Sequence, residues 1–243
     1  MTANITTDMN AQKPRMQPLV ALQALRRLIA DPERTEEVFT IIQALSGPAL
    51  ENGLARFRTL AVGQRVLSEK IELLDTLRDR EYLASLPANT LAHAYLRFVT
   101  SENLSADGLV DASDGAEYVN QSEDLRRFGT RQRDMHDLWH TLTQYGRDTL
   151  GEACLLAFTY AQTKNRGLGV ICLAGCFKLR AVYGSEVFKA AWRGYKDGKR
   201  AAWLPGQDWE HLLTLPIEQV RTQLGITTPQ QYAELRNAYP QAA

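Results

Sequence analysis

Apolar residues recur along this chain at intervals of three and four, and runs that alternate at every second position are almost absent. That period matches the 3.6-residue turn of a helix and not the two-residue repeat of a half-buried strand, so the chain is expected to be all-α. Leu19, Leu22, Leu25, Leu28 and Ile29 give a first amphipathic helix. Asp31-Pro32 ends it, because proline has no N–H to offer a continuing helix. A second helix opens near Thr35, turns Val38, Ile41, Ile42 and Leu45 inward, and stops at Ser46-Gly47-Pro48. The same period predicts helices over 49–60, 65–76, 79–85 and 90–101. From Ser101 to Ser122 the pattern lapses into a polar stretch with glycines and aspartates, which reads as a long loop of the kind that often acts as a lid. Helices are predicted again over 123–145, 149–162, 167–182, 186–198, 209–215, 217–224 and 229–238. The 167–182 segment is apolar nearly all round. Such a helix belongs in a large core, at an oligomer interface or against lipid, and a homodimer is the oligomeric expectation it supports.

Composition narrows the picture. With 243 residues the chain can bury a substantial core, and without internal repeats or a linker it is expected to form a single compact multi-helix domain over 18–243, after a polar disordered N-terminal tail over 1–17. The 28 basic and 28 acidic residues cancel, so no overall field recruits nucleic acid, and none is expected as a partner. The three cysteines, Cys154, Cys172 and Cys176, lie in apolar surroundings and read as small core residues in a reducing, cytoplasmic setting. The N-terminal residues lack the apolar region of a signal peptide and the arginine-rich pattern of a transit peptide. The longest apolar run, Gly167 to Phe177, is shorter than the ~20 residues a bilayer requires, leaving at most peripheral contact with the inner face of a membrane.

Chemistry concentrates in Met135-His136-Asp137-Leu138-Trp139-His140 and in Glu152. Two of the chain's four histidines stand one helical turn apart on the same face, where both imidazoles can reach one ion. Asp137 flanks that face and can supply an oxygen ligand or orient an imidazole. In one straight helix Glu152 would lie roughly 18 Å along the axis from His140, too far to share an ion. The intervening Gln144-Tyr145-Gly146-Arg147-Asp148 holds a glycine suited to ending a helix and an aspartate suited to starting one, so a reversal can return Glu152 to the histidines. The ordinary alternatives are a hydrogen-bonded histidine pair and a Glu152 that caps its own helix in Thr149-Leu150-Gly151-Glu152. Two imidazoles and one or two carboxylates suit Zn(II) and equally Fe(II), Co(II) or Mn(II), because the donors are not soft enough to choose.

The run His136-Asp137-Leu138-Trp139-His140, eleven residues, then Glu152 resembles the H-D-x-x-H-x11-E signature of the coenzyme Q (ubiquinone) biosynthesis protein 4 family. The central block 140–158, the stretch Arg193-Gly194-Tyr195-Lys196-Asp197-Gly198-Lys199, and the segment from Asp208-Trp209-Glu210 through Pro216-Ile217-Glu218-Gln219-Val220-Arg221 are similar as well, so that the likeness runs over roughly 20–225. One departure is Ala88-Asn89-Thr90-Leu91-Ala92, where the family has a glycine-rich sequence. The resemblance implies a divalent metal held by His136, Asp137, His140 and Glu152, zinc foremost, with iron, cobalt, manganese or magnesium as alternatives. It implies a role in ubiquinone biosynthesis beside other proteins of that pathway. The implied reaction is metal-dependent removal of the C1 carboxyl of a 4-hydroxy-3-methoxy-5-polyprenylbenzoate, with or without hydroxylation at that carbon. A noncatalytic lipid-binding scaffold is the alternative.

Arg193, Lys196 and Arg200 share one face of a late helix and could meet an anionic lipid headgroup, with Trp192, Trp203 and Trp209 nearby as interface-type aromatics; a solvated face with core tryptophans is the ordinary alternative. A second basic set, Arg126, Arg131 and Arg133, could approach a carboxylate, and a solvated helix face is the ordinary alternative. His93 and His211 read as isolated polar residues. No glycine-rich phosphate loop follows a strand and no G-x-S-x-G elbow occurs, so nucleotide-binding and serine-hydrolase readings fall away. A phosphohydrolase built on the His136-Asp137 pair lacks outlying histidine and aspartate partners.

Overall fold

A computed structural model describes residues 16–31, 34–102, 104 and 122–239. Among them regular structure is helical throughout, with a lone bridge between Thr90 and Pro216 in place of any strand. The N-terminal helices are α1 (Pro18–Ala30), α2 (Thr35–Ser46), α3 (Ala49–Arg58), α4 (Ala61–Ser68), α5 (Leu73–Arg78), α6 (Arg80–Ser85) and α7 (Leu91–Ser101). After the segment over 105–121 come α8 (Glu123–Asp134), α9 (His136–Thr143), α10 (Thr149–Thr163), α11 (Arg166–Tyr183) and α12 (Glu186–Arg200). A 3-10 turn at Leu204–Gly206 leads to α13 (Trp209–Leu212), α14 (Ile217–Leu224) and α15 (Gln230–Ala238). The expected tail over 1–15 and most of the expected loop over 101–122 lie outside the described residues. Met16 and Gln17 do not belong to a tail, since the Gln17 N–H donates to the Ala44 carbonyl at 2.7 Å.

The principal core is built on α10 and α12. Leu150, Cys154, Leu155 and Phe158 of α10 are buried against Val187, Ala190 and Ala191 of α12, with Trp139, Leu142 and Trp209 closing over them. Gly194 and Gly198 set how closely the two helices approach. A Cβ on Gly194 would stand 2.5 Å from the Cys154 carbonyl oxygen, and one on Gly198 would stand 2.5 Å from that of Phe158. A second cluster joins α1 and α2 to Ile171 of α11, and a third joins Leu54 and Phe57 of α3 to Val66, Leu125 and Phe128.

Several predicted spans change in the fold. The helix expected over 65–76 ends at Ser68 and restarts at Leu73, because Lys70 takes a left-handed conformation with φ 57°. The helix expected over 123–145 bends at Met135, so His136 opens a helix of its own. The one expected over 209–215 stops at Leu212, and the carbonyls of Leu213 and Leu215 accept from Ala92 and Leu91 instead. On α1 the buried face is the small one, Ala21 and Ala24, while Leu19 and Ile29 are exposed. On α11, Ile171, Cys172 and Cys176 are buried, whereas Leu173 and Phe177 stand out on the surface, so the helix is covered on one side only. The basic set Arg126, Arg131 and Arg133 is not a solvated face. Arg131 is fully buried and grips both carboxylate oxygens of Glu210 at 2.6 and 2.7 Å, a pairing that a desolvated guanidinium needs.

Candidate metal centre

The site is assembled by a helix reversal. His136 and His140 project from one face of α9 with ring centroids 4.6 Å apart. The helix ends at Gln144, whose left-handed φ of 62° makes it the capping residue in place of the glycine expected at 146. Four residues later Asp148 starts α10, its side chain accepting from the Gly151 N–H. Asp148 therefore takes the N-cap place that Thr149 would have had in a capping box, which moves Glu152 out of the position that reaches back to the cap, and its side chain faces the histidines. Glu152 Oε1 lies 3.3 Å from His140 Nε2, and Oε2 lies 4.0 Å from His136 Nε2. One ligand atom from each of the three residues falls within 4.8 Å of the others.

The second contacts fix which nitrogen faces inward. His140 Nδ1 is 2.8 Å from the Tyr145 carbonyl oxygen, which can only accept, so the proton sits on Nδ1. The buried Nε2 then has no hydrogen-bond partner, because its contact with Glu152 is close but poorly aligned. In the neutral imidazole its lone pair confronts a carboxylate oxygen, which is unfavourable unless a cation or a proton lies between them. His136 Nδ1 meets Asp137 Oδ1 at 3.2 Å, leaving Nε2 toward Glu152. Asp137 thus stands behind His136, in the place from which a carboxylate orients an imidazole, and the three inward donors are two Nε2 atoms and Glu152. The residues fit a divalent cation through that orphaned nitrogen and the chemistry of the three donors.

Charge at the site is balanced internally. Burial, the largest influence on His136, lowers its pKa, but the Asp137 hydrogen bond and the charges of Glu152 and Asp137 outweigh it and the pKa ends above 6.5. Burial likewise raises Glu152, and its contacts with His140 and His136 win, holding it below 4.5. The Arg147 charge acts on both groups. Phe98 of α7 stacks on His140 with centroids 5.5 Å apart and planes 17° from parallel. Arg147, Tyr145 and Phe98 were not foreseen. Arg147 and Tyr145 sit inside the turn and carried a local signal, whereas Phe98 is brought in by packing alone.

The late basic face is arranged differently from the spacing. Arg193 and Arg200 both bond the buried Asp197, at 3.1 and 2.8 Å, which removes much of their joint charge. With Arg221 they line a cleft of about 480 Å³, while Lys196 is exposed outside it. Trp209 is core, Trp203 packs under Arg56 at 4.1 Å, and Trp192 is exposed. His93 Nε2 is satisfied by the Leu86 carbonyl at 2.7 Å. No helix among the described residues is long and apolar enough to cross a membrane.

Residues 9–230 match the family described as coenzyme Q (ubiquinone) biosynthesis protein Coq4. The chain is 28% identical over 219 residues to the mitochondrial ubiquinone biosynthesis protein COQ4 of Podospora anserina, covering 86% of this chain and 68% of that protein. It is 25% identical over 210 residues to the mitochondrial COQ4 of Scheffersomyces stipitis, covering 86% and 64%. The mitochondrial COQ4 homolog of Drosophila ananassae is 27% identical over 209 residues, 82% of this chain and 73% of that one. The chain thus spans about two thirds of the length of these curated relatives. A crystal structure of a protein ascribed to ubiquinone biosynthesis in Nostoc punctiforme shares the fold, with a TM-score of 0.65 at 20% identity over 88% of this chain and 100% of that one.

Proposed function

This chain belongs to the coenzyme Q (ubiquinone) biosynthesis protein Coq4 family, and on that premise we propose that it removes the C1 carboxyl of a 4-hydroxy-3-methoxy-5-polyprenylbenzoate at the His136, His140 and Glu152 centre. In the simplest form the bond from C1 to the carboxyl carbon breaks, CO2 leaves and a proton takes its place on the ring. The observation that carries the reading is the buried His140 Nε2, held toward Glu152 by the Tyr145 carbonyl and left without a hydrogen bond. When bound there, a divalent cation supplies a Lewis acid for a substrate oxygen and the negative charge that develops as CO2 departs, and iron or cobalt adds a redox partner for dioxygen. Three protein donors leave coordination positions free, which favours a reactive centre over a closed structural one. Asp137 orients His136, Tyr145 orients His140, and the exposed Arg147 beside them offers a cation to the substrate carboxylate. The outer stripe of α11 and the Arg193 and Arg200 cleft are candidates for the prenyl tail and an anionic headgroup, at the face of a membrane or beside other proteins of the pathway.

The test is to purify the chain without chelators, measure its metal content and incubate it, with and without oxygen, with a polyprenylated 4-hydroxy-3-methoxybenzoate. The expected result is metal-dependent CO2 release, lost in His140→Ala and Glu152→Gln. Hydroxylated product only in oxygen would assign the oxidative form of the reaction. Metal and lipid bound without turnover would overturn the enzymatic reading in favour of a scaffold.

A further inference from the structure

We infer that Tyr232, on α15 and beyond the residues that match the family, is a positioning residue of the metal centre: its hydroxyl ties Gly146 to Asp148 and so holds the turn from which His140 and Glu152 are both aimed. The inference rests on the metal-binding reading of the site. Both ligands hang on residues 144–148. His140 takes its orientation from the Tyr145 carbonyl, 2.8 Å from Nδ1. Glu152 rides on a helix whose first turn is capped by Asp148, with Gly151 N–H on Oδ1 at 3.0 Å and Glu152 N–H on the Asp148 carbonyl at 2.9 Å.

Tyr232 engages this turn at two points. Its hydroxyl accepts from the Gly146 N–H at 2.9 Å and donates to Asp148 Oδ2, which leaves Oδ1 for the helix cap. Its ring stands edge-on to Tyr145 with centroids 5.5 Å apart. The cradle is tight. A Cβ on Gly146 would lie 2.5 Å from the Tyr232 hydroxyl, and one on Gly151 would lie 2.1 Å from the Gly146 carbonyl oxygen. Turn and helix start are therefore in backbone contact, and a shift of Gly146 must move Gly151 and with it Glu152. Arg236 reaches Asp148 Oδ2 at 3.3 Å, and Arg221 of α14 grips the carbonyls of Thr141 and Leu142, both at 3.0 Å. The far end of the histidine helix and the cap of the glutamate helix are thus both held from the last two helices of the chain. Without the Tyr232 hydroxyl, Asp148 keeps its charge and its Arg236 contact but loses the hydrogen bond that orients it to cap α10.

Tyr232→Phe keeps the ring and deletes the hydroxyl. Titration of the full chain with Co(II), read by visible absorption, is expected to show binding weakened about 10- to 100-fold, the range for loss of a group that orients a ligand, together with an altered absorption band. Phe57→Leu, which loosens the remote third cluster, is expected to lower the melting temperature and leave Co(II) affinity and band unchanged. A Tyr232→Phe protein with wild-type affinity and band overturns the assignment, and so does equal weakening in Phe57→Leu, which would mark a general loss of stability. A wild-type chain that binds no Co(II) overturns the metal reading itself and this inference with it, an outcome distinct from the other two.

Discussion

His136 and Glu152 titrate in opposite senses, and the pair makes metal binding a pH-dependent property of two residues. The folded pKa of His136 lies above its ordinary 6.5. Without metal, the stability from its contacts is therefore full below about pH 6.5 and is lost as pH rises through the folded value. Glu152 lies below its ordinary 4.5, so its contribution is full above that value and is lost as pH falls through the folded one. The metal-free pair contributes fully between those two ordinary values. A cation needs the imidazole without its proton, so metal affinity should fall about tenfold per pH unit below the raised His136 pKa. Asp137→Asn removes the negative charge that helps to raise that pKa and leaves at most a weaker, neutral hydrogen bond. Co(II) titrations across pH should show the onset of binding moved to lower pH, together with a weaker plateau from the less firmly oriented ring; an unchanged onset would mean Asp137 does not act on His136.

At the scale of elements, the approach of α10 and α12 is the feature that tolerates least change. Alanine at Gly198 would gain about 1 kcal/mol in helix propensity. Its methyl, however, would press on the Phe158 carbonyl, a backbone atom that cannot turn aside, and such overpacking costs typically 1–3 kcal/mol. Gly194 faces Cys154 in the same way. Replacing both glycines by alanine is expected to lower stability by about 2 kcal/mol, read as a reduced urea midpoint at an unchanged slope. No loss of stability would show that the helices can separate without penalty. Element boundaries were the part least visible from the pattern. Periodicity located α2, α7, α10, α12, α14 and α15 to within a residue or two, because the three- and four-residue recurrence of apolar positions runs through each, with local stop signals at Gly47 after α2 and Gly225 after α14. The breaks at Met135 and Lys70 and the early end of α13 have no such signal; Lys70 offers its carbonyl to Arg127, and Leu213 and Leu215 offer theirs to Ala92 and Leu91, all distant in sequence.

For the whole molecule, a metal that binds only the folded chain must stabilise it. At a free concentration 100 times its dissociation constant the gain is about 2.7 kcal/mol. For a chain of this size each kcal/mol moves the melting temperature by roughly 2–4 °C, so a rise of about 5–10 °C is expected. Differential scanning calorimetry of the wild type with and without Zn(II) should show that shift, and Glu152→Gln should abolish it. A shift retained in Glu152→Gln would place the ion elsewhere. What the order of residues offered by itself was the all-helical class and four ligand candidates, His136, Asp137, His140 and Glu152, because helical period and donor spacing are local properties written within one or two turns. Asp148 and Gly146 also marked the reversal between His140 and Glu152, although Gln144 and not the glycine supplies the left-handed turn. Tertiary structure alone decided that Asp137 stands behind His136 and that Arg131 is buried on Glu210. It also decided that Tyr232 reaches back to the turn. Each of these joins groups whose meeting or orientation depends on how helices pack, and packing is a sum over the whole core that no local window of the chain contains.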